Sequence, residues 1–145
     1  MPNSREVESK NLIRRYVETW NKGDIEGLSQ FWARDMIHHT RTKKQGFDEV
    51  KQIVKDFAKA FPDLQFHLDD IIAEGDRVAT RMIAHATHLG AYMGVPPSGK
   101  KVSCAVMGVA RVVGDKIAEH WGVTDELAIM AQIGLLPENY LAAMT

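Results

Sequence analysis

Cysteine occurs once in this chain, at Cys104. A single thiol cannot staple the fold, and a thiolate zinc site needs more ligands than it offers. No apolar run approaches the roughly 20 residues that cross a bilayer, and the opening Met1-Pro2-Asn3-Ser4-Arg5-Glu6 has no apolar core of a secretory signal. Neither membrane insertion nor export is indicated, so a cytoplasmic location is expected by default. Sustained basic runs are also missing. None exceeds a pair, as at Lys43-Lys44 and Lys100-Lys101, and the net charge is −1, which argues against binding along a nucleic-acid backbone. With no linker, repeat or low-complexity stretch, residues 1–145 are expected to form one domain. At 45% hydrophobic and 26% charged residues, it can enclose a core and a modest pocket.

What is present begins with helical periodicity. Leu12, Ile13, Tyr16, Val17 and Trp20 share one face, with Arg and Glu elsewhere. Asn21-Lys22-Gly23 reads as a stop, and Asp24 as the cap of a short second helix carrying Ile25, Leu28, Phe31 and Trp32. An extended piece around Met36 to Thr40 follows. A third helix then carries Val50, Ile53, Val54, Phe57 and Phe61, and Pro62 ends it.

The period then falls to two. Leu64, Phe66 and Leu68 alternate with polar neighbours, and the phase slips at Asp70-Ile71-Ile72, the mark of a bulge. Glu74-Gly75-Asp76 and Gly114-Asp115 read as hairpin turns between long strands at Arg77 to His88, Lys101 to Val113 and Lys116 to Thr124. A loop over Gly90 to Gly99 and a last apolar helix, capped by Asp125 and running through Ile133, complete the chain. Helices first and strands after argue α+β. Long bent strands must curl, so the expected form is a cone. It is a curved antiparallel (mixed) sheet with the N-terminal helices on its concave face, enclosing a pocket.

Five segments also resemble a known family. They are Ala60-Phe61-Pro62-Asp63-Leu64, Ala73-Glu74-Gly75-Asp76-Arg77-Val78, the Thr87-His88 pair with Gly90, Met93-Gly94-Val95-Pro96-Pro97 with Gly99-Lys100, and Lys116-Ile117 with Glu119-His120-Trp121 and Asp125. In this order they resemble the SnoaL-like polyketide cyclases of the nuclear transport factor two-like superfamily. The resemblance implies the same cone, a homodimer through the outer sheet face, and cofactor-free, metal-free ring closure of a polyketide by intramolecular aldol reaction. Asp125 matches the position of the family's acid/base aspartate, Trp20 its first-helix pocket aromatic, and His38 a polar pocket residue. The cyclases' histidine and glutamine on the penultimate strand fall on Gly108 and Val106 here.

Each candidate also has an ordinary structural role. Asp125 suits a helix N-cap; its apolar neighbours Val123, Leu127 and Met130 would also desolvate the carboxylate, as a general acid or base near neutrality requires. Counting by two from Asp125 places Val123 and Trp121 on its face, making Trp121 a pocket wall and His120 a structural or dimer-face residue. His38 and His39 take opposite faces, with His38 inward. His88 is expected to organise the glycine-rich loop, and Cys104 to be a buried strand residue. No His-x-x-x-His or Cys-His pairing supports a metal site. The alternate residues Ser103, Ala105, Met107 and Val109 are too apolar to face water, so a homodimer burying Met107 and Val109 is expected. The leading functional reading is acid/base chemistry on a small apolar carbonyl compound. Hydrolysis or dehydration of an apolar substrate, and non-catalytic binding of a small ligand, are the alternatives.

Overall fold

The computed structural model describes residues 3–40, 42–137 and 139–140. Helix α1, Ser4–Asn21, starts where the Asn3 side chain accepts the Glu6 N–H and turns Leu12, Ile13 and Val17 into the core. Its last residue locks it to the sheet. The Asn21 amide accepts from the Phe66 N–H at 2.7 Å and donates to the Phe66 carbonyl at 2.9 Å. Asp24 caps the short α2, Ile25–Leu28, through the Gly27 N–H. Helix α3, Phe47–Ala60, buries Val50, Val54 and Ala60 and stops ahead of Pro62, whose ring disfavours continued helix.

Among the described residues, six strands form one sheet: β1 Trp32–His39, β2 Lys44–Gln45, β3 Gln65–Glu74, β4 Arg77–Thr87, β5 Lys101–Val113 and β6 Lys116–Thr124. Their order is β2-β1-β6-β5-β4-β3. β1 runs parallel to β6, and every other pairing is antiparallel. The phase slip expected near Asp70 is real, because the β3–β4 register shifts between Leu68 and Asp70. The two-residue β2 had no legible pattern. It forms because the chain returns beside β1, pairing Gln45 with His38.

Strand β5 shows why the sheet has an inside. Val102, Cys104, Ala110 and Val112 are buried, while Ser103, Ala105 and Met107 are exposed, the alternation that a one-sided sheet imposes. On the buried side, Leu12 and Ile13 of α1 and Val50 and Val54 of α3 pack with Trp32, Val78, Ala110 and Ile117. A second cluster joins Phe61, Leu64, Ala84, Val102 and Cys104 to Ile129 of α4, Glu126–Gln132. Leu28, Phe61 and Ile129 are almost wholly shielded, each contributing roughly 1.5–3 kcal/mol of burial. The first and third helices therefore lie on the concave side, as the sequence predicts. Among the described residues no helix is long and apolar enough to cross a membrane.

Candidate active site

A polar row crosses the otherwise apolar concave face. Register aligns Gln45 with His38, His38 with His120, and His120 with Ala110. Directly paired residues share a face, so Gln45, His38 and His120 all stand on the side that buries Ala110 and Met36. The imidazoles meet Nδ1 to Nδ1 at 3.0 Å. Their centroids are 5.1 Å apart and their planes differ by 17°, so the rings join edge to edge in nearly one plane, a favourable alignment for a hydrogen bond. Beside them Gln45 is 8% exposed, and its buried Oε1 has no partner.

Two glycines make the room. A Cβ on Gly122 would lie 2.8 Å from His120 Cε1, and one on Gly108 would lie 3.1 Å from His120 Nε2. Both positions flank His120 on its own face, so its ring lies across bare backbone. Gly108 has thus given its space to an imidazole from the neighbouring strand. Burial, and then the like charge of His38 and His39, push His120 down to about 4. Burial, and then His39, also lower His38. Near neutral pH both rings are uncharged, so one Nδ1 donates its proton and the other accepts.

The carboxylate candidate sits elsewhere. Asp125 is exposed and caps α4 by accepting the Ala128 N–H at 3.1 Å. It lies on an open groove of about 770 Å³ that rounds the end of β6, from outward-facing Ala105, Met107 and Val123 to Leu127 and Met130 of α4. Met93, Met107 and Met130 line it, an adaptable apolar surface. Deeper in the cone, between α3, β4, β5 and α4, the void is only about 10 Å³. The burial expected for Asp125 is therefore not found, because the residue ends the strand as a helix cap at the rim.

The face assignment on β6 is reversed from the sequence expectation. Trp121 pairs with Val109 and faces outward, whereas His120 pairs with Ala110 and faces inward. Trp121 stacks on His39 at 4.9 Å, and the Arg77 guanidinium lies over the Trp121 ring, 4.8 Å from its centroid. Glu119 joins His39 and Arg111 on that same outer side. Its carboxyl is held low, first by the His39 hydrogen bond. The alternation by two was correct, but its reference was not. Asp125 shares the outward parity, so counting from it inverted both residues. Val106 and Gly108 do face inward, and Trp20 packs between the two core clusters, edge-on to Phe66.

His120 and Gln45 are the site residues that the sequence did not disclose. The available signal was the pair Gly108 and Gly122 in strands otherwise rich in side chains, since glycine in a strand often marks a close approach. His88 does organise the loop. Its Nδ1 accepts the Ser98 N–H and meets the Ser98 hydroxyl at 2.8 Å. Burial raises the Cys104 thiol to about 11, with Asp125 contributing, which makes it a poor nucleophile. Burial, then Glu126 and Cys104, also raise the Tyr92 phenol to about 12. Among the described residues no group of three His, Cys, Asp or Glu is placed to hold a metal ion.

A curved mixed sheet with helices in its concavity, a polar row inside and an apolar groove at the mouth defines the α+β cone of the nuclear transport factor two-like class. Within it, the SnoaL-like polyketide cyclase model matches residues 10–133, and the chain belongs to that family. The aklanonic acid methyl ester cyclase DauD of Streptomyces sp. (strain C5) is 25% identical over 130 residues, spanning 86% of this chain and 80% of DauD. Among solved structures, AclR of Streptomyces galilaeus, a candidate hydroxylase, superposes with a TM-score of 0.86 at 36% identity, covering 91% of this chain and 99% of AclR. IdmH of Streptomyces antibioticus, a candidate polyketide cyclase, has a TM-score of 0.77 at 29% identity, covering 87% and 98%.

Proposed function

We propose that this chain is a cofactor-independent cyclase that closes a ring by intramolecular aldol reaction on a small, largely apolar carbonyl compound. The observation that supports it is the seat of Asp125. The N-cap hydrogen bond to Ala128 holds this carboxylate at the rim of a methionine-lined groove. There it can remove a proton from a carbon next to a carbonyl, the enolate carbon attacks a second carbonyl, and the new alkoxide takes a proton back. A positioned carboxylate supplies about 10²–10⁴-fold in such a step. The apolar lining beside it is Met93, Met107, Leu127 and Met130, while the expected partners His38, Trp20, Val106 and Gly108 stand on the inner side of the sheet, apart from this groove. The DauD likeness selects aklanonic acid methyl ester as the first compound to assay. Asp125→Asn keeps the cap and removes the base, so turnover should fall by about that factor; undiminished turnover would sink the catalytic reading.

One observation favours a second reading. Asp125 is exposed and already engaged as a cap, which suits a protein that holds a small apolar ligand without transforming it. Ligand binding without turnover by the unaltered protein would establish that reading. We further infer a cytoplasmic homodimer. Met107 is 54% and Val123 73% exposed on the outer face; a partner packed on that face would cover Met107 and Val109 and so wall off the outer end of the groove, leaving its Leu127 and Met130 side to the ligand. Sedimentation at micromolar concentration should give twice the chain mass, and Met107→Asp should halve it.

A further inference from the structure

One loop holds its tip in a conformation that the residue there resists. Between β4 and β5 the chain turns back at Met93 and Gly94, where Tyr92 N–H donates to the Val95 carbonyl at 3.0 Å and Val95 N–H donates back at 2.8 Å. Both central residues have positive φ, +49° at Met93 and +78° at Gly94. That is a type I′ turn, which favours asparagine or glycine at both centres. Gly94 fits this preference. Met93 does not, and among the described residues it is the one non-glycine with positive φ. A long side chain is strained in that region, and at 62% exposure its own burial does little to offset the strain.

The rest of the loop is anchored. Tyr92 packs edge-on against Phe57 and Phe61, Val95 joins the second core cluster, and His88 holds Ser98. Gly90 lies so close to α3 that a Cβ would stand 2.2 Å from the Lys59 carbonyl oxygen. These anchors fix the tip, and the tip brings Met93 into the lining of the groove that carries Asp125. Strain held in place by a built support marks a residue with work to do, and the work open to Met93 is contact with whatever fills the groove. Among the described lining residues none is cationic, while Asp125 and Glu126 are acidic. The groove therefore disfavours an anion, and its methionines suit an apolar molecule.

We propose that Met93 is a substrate-clamping, specificity-determining residue. Its unbranched thioether side chain lies over an uncharged apolar carbonyl compound and holds it against Leu127 and Met130, with the reacting carbon at Asp125. Naming the ligand a carbonyl compound rests on the cyclase reading, whereas the clamp itself requires only binding. A contact made equally before and during the reaction acts on KM rather than on kcat. Asparagine at this position would relax the turn and lose the ligand contact, so one substitution has two effects of opposite sign.

That opposition is the test. Met93→Asn should raise the Tm by about 2–4 °C, because Asn-Gly is a preferred type I′ pair. It should also weaken binding of N-phenyl-1-naphthylamine, an uncharged apolar fluorescent probe, by about 5–20-fold. Met93→Leu, apolar and equally strained, should bind the probe within about threefold of the parent chain. In the full chain labelled with carbon-13 at the methionine methyls, the probe should shift the Met93 and Met130 signals together, Met93→Leu assigning the first. Unchanged probe affinity in Met93→Asn, no probe binding by the parent chain, or a Met93 methyl that stays put on probe addition would overturn the clamp. So would a lower Tm for Met93→Asn, or loss of the dimer by that variant with probe affinity intact. With aklanonic acid methyl ester, the loss in kcat/KM of Met93→Asn should be carried by KM. If the parent chain turns the ester over and Met93→Asn leaves KM unchanged, the clamp fails and the cyclase reading stands. If the probe results hold and the parent chain turns nothing over, the cyclase reading fails and the clamp stands.

Discussion

Gly122→Ala probes the packing on which the inner row depends. The added methyl would lie 2.8 Å from His120 Cε1, closer than carbon atoms tolerate, so the ring must swing away. Swinging breaks the 3.0 Å bond to His38, a loss of about 0.5–1.5 kcal/mol. It also forces an off-rotamer side chain, about 0.5–1.5 kcal/mol more. Against this, alanine is favoured over glycine in a strand interior by roughly 0.5–1 kcal/mol. The net effect in the unaltered chain is a destabilisation of roughly 0–2.5 kcal/mol, centred near 1. In a His120→Ala background the methyl meets open space, only the strand preference remains, and the same substitution should stabilise. Urea denaturation of the four proteins in this cycle measures both values and their coupling, expected at about 1–3 kcal/mol. Equal effects in both backgrounds would refute the argument that glycine is there for the imidazole.

The remaining expectations are brief. His120 has its proton affinity lowered from 6.5 to about 4 in the folded chain, so the unfolded chain binds the proton more tightly. Its contribution is fully present above pH 6.5 and is lost as pH falls towards 4, at no more than about 1.4 kcal/mol per pH unit. His120→Gln should flatten this part of the stability profile, and an unchanged slope would count against a buried neutral imidazole. Cys104, buried and raised to about 11, should resist a disulfide reagent at pH 8 until the chain is unfolded. Rapid labelling of the native protein would contradict its placement beneath α4.

Much of this fold was legible because its determinants are local. Apolar spacing of three and four marked α1 and α3, Asp24 and Asp125 marked caps, Gly75 and Gly114 marked turns, and each lies within a few residues of what it organises. Alternation on β5 also separated Val102, Cys104 and Ala110 from Ser103, Ala105 and Met107 correctly. Alternation states only that neighbours oppose one another; it needs one residue of known orientation to say which face is inside. Asp125 was the wrong choice, being a cap outside the strand. Ala110, anchored in the core and paired with His120, was the right one.

The sequence by itself therefore determined the family and the main elements with their turns, though not β2, nor that the second helix ends at Leu28 so that Trp32 opens β1. Only the tertiary structure decided that β1 lies parallel to β6, which brings His38 against His120 across 82 residues, and that β2 returns to set Gln45 beside them. Such partners are selected by the closing of the sheet over its helices. The free energy of that closure is spread over the whole core, and no short stretch of sequence carries it.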